Sequence, residues 1–167
     1  MKFDSGIVVK VNPVNPVYDH FSLNGRATRV LSASSESDYI KDGATIPLAG
    51  KKLVAKIYHP EETRGHEGIF IQMAQEILKD RPDLKRHIPT LICSKDIKYS
   101  TRHIRDVLGL REKKPGSEGS NPRLVRILIF VLLDPITSLE DPGKIIQAWK
   151  GCVDCKVFIC ISLLIVV

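Results

Sequence analysis

The sequence predicts an α+β fold: an antiparallel sheet with one helix packed across it and an extra short helix between strands. Three patterns carry that expectation. Leu53-Val54-Ala55-Lys56-Ile57-Tyr58 is a β-prone run whose period of two puts Val54 and Lys56 on one face and Leu53, Ala55 and Ile57 on the other. Ile69, Met73 and Ile77, with Phe70, Ala74 and Leu78 beside them, form the stripe of a helix packed on one side. Residues 124–133 are nearly all apolar, the pattern of a strand buried on both faces.

In chain order, a short strand is predicted over residues 7–11, broken by Asn12-Pro13-Val14-Asn15-Pro16. Strand, turn and strand follow over 21–31, with Asn24-Gly25 as the turn pair, and the polar stretch 32–43 reads as a loop or hairpin end. His59-Pro60 stops the next strand, 52–58, because proline donates nothing to a ladder and restricts its predecessor. The helix after it fades at Asp80-Arg81-Pro82. Gly65 and Gly68 weaken its start, each by about 1 kcal/mol relative to alanine, so a mobile first turn is expected. A strand over 88–93, a short basic helix over 101–110 closed by Gly109, and a solvated linker over 112–122 come next. Asp134-Pro135 ends the apolar strand, and Ile145, Ile146, Trp149, Cys152 and Val153 mark a second substantial helix over 144–156. The final run, 157–167, is apolar, rich in β-branched residues and free of proline; it reads as strand-like and, if unpaired, prone to aggregate. Its eleven residues fall short of the roughly 20 a spanning helix needs, so no membrane association is expected.

With 43% hydrophobic and 26% charged residues in 167, a core can be built and wholesale disorder is excluded. The 25 Lys and Arg exceed the 19 Asp and Glu, a net charge of +6 that favours an anionic partner. No basic run alternates with aromatics, so nucleic acid is not the expected one. Residues 1–10 lack the apolar stretch of a secretory signal, and Cys93, Cys152, Cys155 and Cys160 are expected as reduced thiols in the cytoplasm or nucleus. Cys152-Val153-Asp154-Cys155 has the spacing of a zinc half-site or redox motif, yet nothing completes a tetrahedral site; a helix with two small apolar residues is the favoured reading. His66, His87 and His103 have no partners at metal spacing and read as surface or capping residues, so no metal site is predicted. Ser5, Ser34 and Ser35 show no activating base, which gives a hydrolase no support.

Lys56 sits inside an apolar strand, and Glu67 follows eleven positions later at the head of a helix. That order suits a lysine gripping nucleotide phosphates and a glutamate holding the lysine. Taken alone it is weak, because strand lysines are usually solvated and helix-start glutamates usually complement the dipole. The surrounding blocks add to it: Gly25-Arg26-Ala27-Thr28-Arg29-Val30; Gly50 through Lys56 to Glu61; His87-Ile-Pro-Thr-Leu; Ser100-Thr-Arg-His-Ile-Arg-Asp-Val-Leu-Gly109; Arg123 to Phe130 with Asp134-Pro-Ile-Thr137; and Ala148-Trp149 with Cys152 and Cys155. Together they resemble the fungal-type protein kinase family over about residues 23–155, the Ser-Thr-x-x-Ile-Arg block being the most specific part.

The resemblance implies four segments: 1–22, an N-terminal extension and first strand; 23–137, a kinase small lobe; 138–156, the start of the large-lobe helices; and 157–167, an apolar tail expected not to be family sequence. It implies that Gly25, Ala27 and Val30 belong to a phosphate-covering loop, that Lys56 pairs with the α- and β-phosphates and Glu67 holds it, that Val30 and Val54 line the adenine pocket, that Phe130 is the gatekeeper, and that Leu132 lies in the hinge. The sequence departs from the family at Ala27, where relatives carry a second glycine; a Cβ there obstructs positive φ and close backbone approach, so weak nucleotide binding is expected. ATP and Mg2+ serve the intact family in phosphoryl transfer to protein serine and threonine. No His-Arg-Asp or Asp-Phe-Gly run occurs here, so no catalytic residue is assigned and the chain is expected to be an inactive, truncated transferase. The alternative expectation is a non-catalytic, pseudokinase-like interaction module that meets a protein partner through an exposed lobe surface.

Overall fold

The structure, a computed structural model, describes residues 3, 6–20, 27–36, 38–41, 44–97, 101–109, 122–135 and 138–165. Its architecture is α+β, with an antiparallel sheet and helices. The chain divides into two compact units, Met1–Gly65 with Ile92–Val131, and His66–Leu91 with Leu132–Val167.

The first unit is built on a five-stranded sheet of order β1-β2-β5-β7-β6, from β1 (Val9–His20), β2 (Thr28–Ser35), β5 (Leu53–Tyr58), β7 (Val125–Val131) and β6 (Leu91–Ile97). A hairpin of β3 (Tyr39–Lys41) and β4 (Ala44–Ile46) accompanies it. β5 lies at the centre, pairing antiparallel with β2 on one side and β7 on the other. The predicted alternation in β5 sorts its side chains: Leu53 and Ala55 join Val9, Ile92, Ile127, Ile129, Phe3, Ile7 and Leu48 in the unit's core. Burying one such aliphatic side chain stabilises the fold by roughly 1.5–3 kcal/mol. The short helix α3 (Arg102–Val107) is tied down at its start, where the Thr101 N–H donates to the Arg123 carbonyl and the Arg123 N–H donates to Thr101 Oγ1. Arg123 also donates through Nη1 to the His59 carbonyl at 2.9 Å, fastening the end of β5 to the start of β7.

In the second unit, α1 (Glu67–Ile77), α2 (Pro82–Lys85) and α4 (Pro142–Ile165) surround Leu78, Leu84 and Cys155, with Ile88, Phe158 and Ile159 packed against them. His66 caps α1, its Nδ1 accepting from the Gly68 N–H. A Cβ on Gly68 would lie 2.9 Å from that imidazole, so the glycine that lowers helix propensity is what lets the cap form. Asp141 caps α4 by accepting from the Gly143 N–H at 2.8 Å, with Pro142 in the first turn where its missing donor is harmless. Between α1 and α4, Arg81 makes a two-bond ion pair with Asp83 while its guanidinium lies 5.1 Å from the Phe158 ring centroid. The hydrogen bonds from Arg81 hold the Asp83 carboxyl below the usual carboxylate range.

Several expectations are corrected. β1 does not stop at Asn12 but runs to His20, because register shifts between Val11 and Pro16 and between Pro16 and Tyr18 absorb the prolines as bulges. The stretch 32–43 supplies the end of β2 and a strand of the small hairpin. The strand expected over 88–93 is β6, shifted to Leu91–Ile97, and the one-turn helix α2 was not anticipated. In α1 the stripe is only half right: Leu78 is fully buried, whereas Ile69, Phe70 and Met73 are exposed. The apolar run after Lys156 is helical through Ile165, continuing α4 without a break, since no glycine or proline interrupts it and Phe158 and Ile159 have a core to enter. A short apolar run carries no period that separates strand from buried helix. The Asn24-Gly25 turn and residues 112–121 of the linker lie outside the described residues.

One buried charge supports the first unit. Arg126 is 3% exposed, and its guanidinium donates to both Asp96 carboxylate oxygens, at 2.7 and 2.9 Å, and to the Gly65 carbonyl at 3.1 Å. Asp96→Ala is expected to lower stability by about 2–4 kcal/mol, somewhat under the loss typical of a fully buried pair because the Asp96 side chain keeps 29% of its exposure. Replacing Arg126 and Asp96 together with leucine should be far milder, which urea midpoints of the single and double variants will compare.

Candidate functional site

The side of β5 opposite the core carries Val54, Lys56 and Tyr58. Register assigns their neighbours: Val30 on β2 stands directly across from Lys56, Phe130 on β7 directly across from Val54, and Arg126 directly across from Tyr58. Residues directly opposite in an antiparallel pair share a face, with Cβ atoms about 4.5–5.5 Å apart. Four side chains predicted from sequence, Val30, Val54, Lys56 and Phe130, are therefore brought onto one face of one sheet.

Lys56 is half-buried, and its Nζ lies 5.0 Å from the centroid of the Tyr58 ring. Tyr58 is itself 2% exposed, so the lysine stem runs over a fixed aromatic platform. Val54 and Phe130, two residues along the same face, are 8% and 9% exposed and form an apolar pair that is itself buried. Arg126, the second cation on this face, is already neutralised; its hydrogen bonds to Asp96 raise its pKa above the usual arginine value. Lys56, directly across from Val30, is the cation that stands next to the apolar pair Val54 and Phe130 on this face.

The other predicted site residues are distributed as follows. Ala27 immediately precedes β2 with φ of 42°, the one described residue other than glycine in the left-handed region. This is a backbone that glycine adopts freely, and alanine occupies it under strain. Gly25 lies outside the described residues. Glu67 is the first residue of α1 and half-buried, where its charge complements the helix's positive end. Leu132 follows β7 directly and is exposed. Glu67 and Leu132 belong to the second unit, and Val30, Val54, Lys56 and Phe130 to the first. Among the described residues no cluster of three or more His, Cys, Asp or Glu side chains could hold a metal ion, and no helix is long and apolar enough to cross a membrane.

Sequence reading missed Tyr58, Arg126 and Asp96. A signal was present: Arg126 is the single charge inside an otherwise apolar strand, and such a residue needs a buried partner. What the sequence did not show was the partner, because Asp96 is thirty residues away on another strand.

Ala27→Gly is expected to raise stability by about 0.5–1 kcal/mol, against the usual direction for a glycine substitution, because it removes a left-handed alanine. A higher thermal midpoint, with unchanged circular dichroism, checks it. Comparison of this chain with protein-family models, with characterised proteins and with solved structures finds no match to any of them.

Proposed function

We propose that this chain is a nucleotide-recognising small lobe of the protein-kinase kind, resembling the fungal-type family. The observation that carries the reading is the cross-strand register that sets Val30 beside Lys56 and Val54 beside Phe130. In this reading the nucleotide's base lies on Val54 and Phe130, and the Lys56 ammonium meets its phosphates as a point charge. Further support comes from chain order: the lysine strand β5 is central, α1 follows it directly, and β6 and β7 complete the sheet beyond it. The strained Ala27 fits a loop that approaches phosphates with its backbone, and its Cβ weakens that approach.

The activity assigned to these residues is binding. Phosphoryl transfer additionally needs a carboxylate at the acceptor hydroxyl and acids that hold Mg2+, and the His-Arg-Asp and Asp-Phe-Gly runs that supply them in the resembled family do not occur in this sequence. A second reading, a non-catalytic interaction module, is favoured by one observation: Phe70 on α1 and Trp149 on α4 are 61% and 65% exposed, with Ile69, Met73 and Ile146 exposed beside them.

Titration with ATP, followed calorimetrically with and without Mg2+, tests the first reading. Weak saturable binding is expected, reduced about tenfold in Lys56→Ala, the effect of one hydrogen bond to a charged group. No binding by a folded wild-type chain at millimolar ATP, or equal binding by the variant, would sink it and leave the interaction module. In either case no ATP-dependent phosphorylation of a serine- or threonine-containing peptide is expected from this chain alone.

A further inference from the structure

The second unit contains a thiol and imidazole cluster that plays no part in the nucleotide reading. Cys152 on α4 is exposed, and its Sγ lies 4.0 Å from His87 Nδ1. The Arg86 Nε–H donates to His87 Nε2 at 3.3 Å. An arginine nitrogen only donates, so this contact assigns Nε2 as the acceptor and Nδ1, the nitrogen facing the sulfur, as the N–H of the ring. Once the sulfur is a thiolate, that N–H···S contact becomes charge-assisted.

Gly151 makes this arrangement possible. A Cβ at that position would lie 2.2 Å from both Cε1 and Nε2 of His87, so the ring rests against bare helix backbone. Glycine in the interior of a helix costs about 1 kcal/mol relative to alanine, and the close approach of the imidazole is its physical counterpart here. Cys155 follows one turn later. Residues i and i+3 of a helix have Cα atoms about 5 Å apart, inside the range a disulfide spans, and Cβ atoms about 5–6 Å apart, so closing the bond draws the helix turn in by roughly 1–2 Å. Cys155 is buried, packed between Leu78 and Leu84.

We propose that Cys152 is a peroxide-reactive thiol, positioned by His87 and resolved by Cys155. In the first step the Cys152 thiolate attacks one oxygen of hydrogen peroxide and the O–O bond breaks. The departing hydroxide takes up the proton shed by the thiol and leaves as water, and Cys152 becomes a sulfenic acid. In the second step the Cys155 sulfur attacks Cys152 Sγ and the S–O bond breaks. The oxygen leaves as a second water with the Cys155 proton, giving the Cys152–Cys155 disulfide. The two thiols lose two electrons in all, and the peroxide gains them. Cys152 is the exposed sulfur of the two and Cys155 the buried one, so Cys152 meets peroxide first; burial also raises the pKa of the Cys155 thiol, with the neighbouring Cys152 adding to the effect. Cys93 stands aside: burial pushes its thiol up to about 12. Cys160, exposed on the same helix, is the internal comparator.

The test treats the full chain, reduced, with excess hydrogen peroxide and follows each cysteine by peptide mass. The wild type is expected to lose two hydrogens on the peptide joining Cys152 to Cys155. Cys155→Ser should instead hold a sulfenic acid at Cys152 that dimedone captures, and Cys152→Ser should yield neither product. His87→Ala should slow oxidation of Cys152 about tenfold, the effect of one charge-assisted hydrogen bond, while Cys160 reacts unchanged. Gly151→Ala, which displaces the ring but keeps both reacting groups, should slow it likewise, with circular dichroism confirming a folded chain. Cys152 and Cys160 oxidising at equal rates, an unchanged Cys152 rate in His87→Ala, or a disulfide that pairs Cys152 with Cys160 would each overturn the proposal.

Discussion

The first unit depends on how a guanidinium is accommodated inside a sheet. Arg126 sits in β7 between Val125 and Ile127, and the next residues on either side of the strand alternate between the core and the opposite face. A slip of one residue in β7 would drive this charge to the core side, among Leu53, Ala55 and Ile92, at a cost of several kcal/mol per uncompensated ion. The two bonds to Asp96 and the one to Gly65 give the charge a place on the other face only. Arg126 thereby selects the register, and that register sets Phe130 opposite Val54 and Leu128 opposite Lys56. The face that carries Lys56, Val54 and Phe130 is thus fixed by a residue whose own charge is satisfied within the sheet unit.

Glycine and histidine are used together twice in the second unit. At the start of α1, Gly68 leaves room for the His66 imidazole to accept from the helix's own N–H; in the middle of α4, Gly151 leaves room for His87 to lie against the backbone beside Cys152. In both places the helix gives up propensity and gains an imidazole held in one orientation. The orientations differ in consequence. His66 Nδ1 accepts and serves the backbone, whereas His87 Nδ1 faces a sulfur.

The alternation in Leu53–Tyr58 made the central strand and its two faces legible in the sequence, because a period of two has one structural meaning when one face is apolar. Gly109 was legible as a helix end for the same kind of reason: its φ is +67°, which glycine adopts freely. The apolar run after Lys156 was not, since leucine and β-branched residues suit a strand and a buried helix alike, and only Leu78 and Leu84, far away in sequence, decide between them. The stripe at Ile69, Phe70 and Met73 misled because periodicity identifies an apolar face without saying what covers it. At the candidate site, Lys56, Val54, Val30 and Phe130 were legible as strand positions. Tyr58, two residues beyond Lys56 on the same strand, follows from the same period of two; the Arg126–Asp96 pair was not legible, because contacts between strands follow from register and register was unknown.

β1 has a further consequence for how far this sheet can grow. It is one of the two outermost strands, and Val14, Val17 and Tyr18 leave much of its length apolar and in contact with solvent. Such a border would ordinarily recruit a strand from a neighbouring chain. Pro13 and Pro16 have no N–H to offer, and the bulges at Val11–Pro16 and Pro16–Tyr18 bend the remaining donors out of line. The residues that looked in the sequence like the end of a strand instead terminate the hydrogen-bonding surface, and they keep a fifth strand from becoming the template for a sixth.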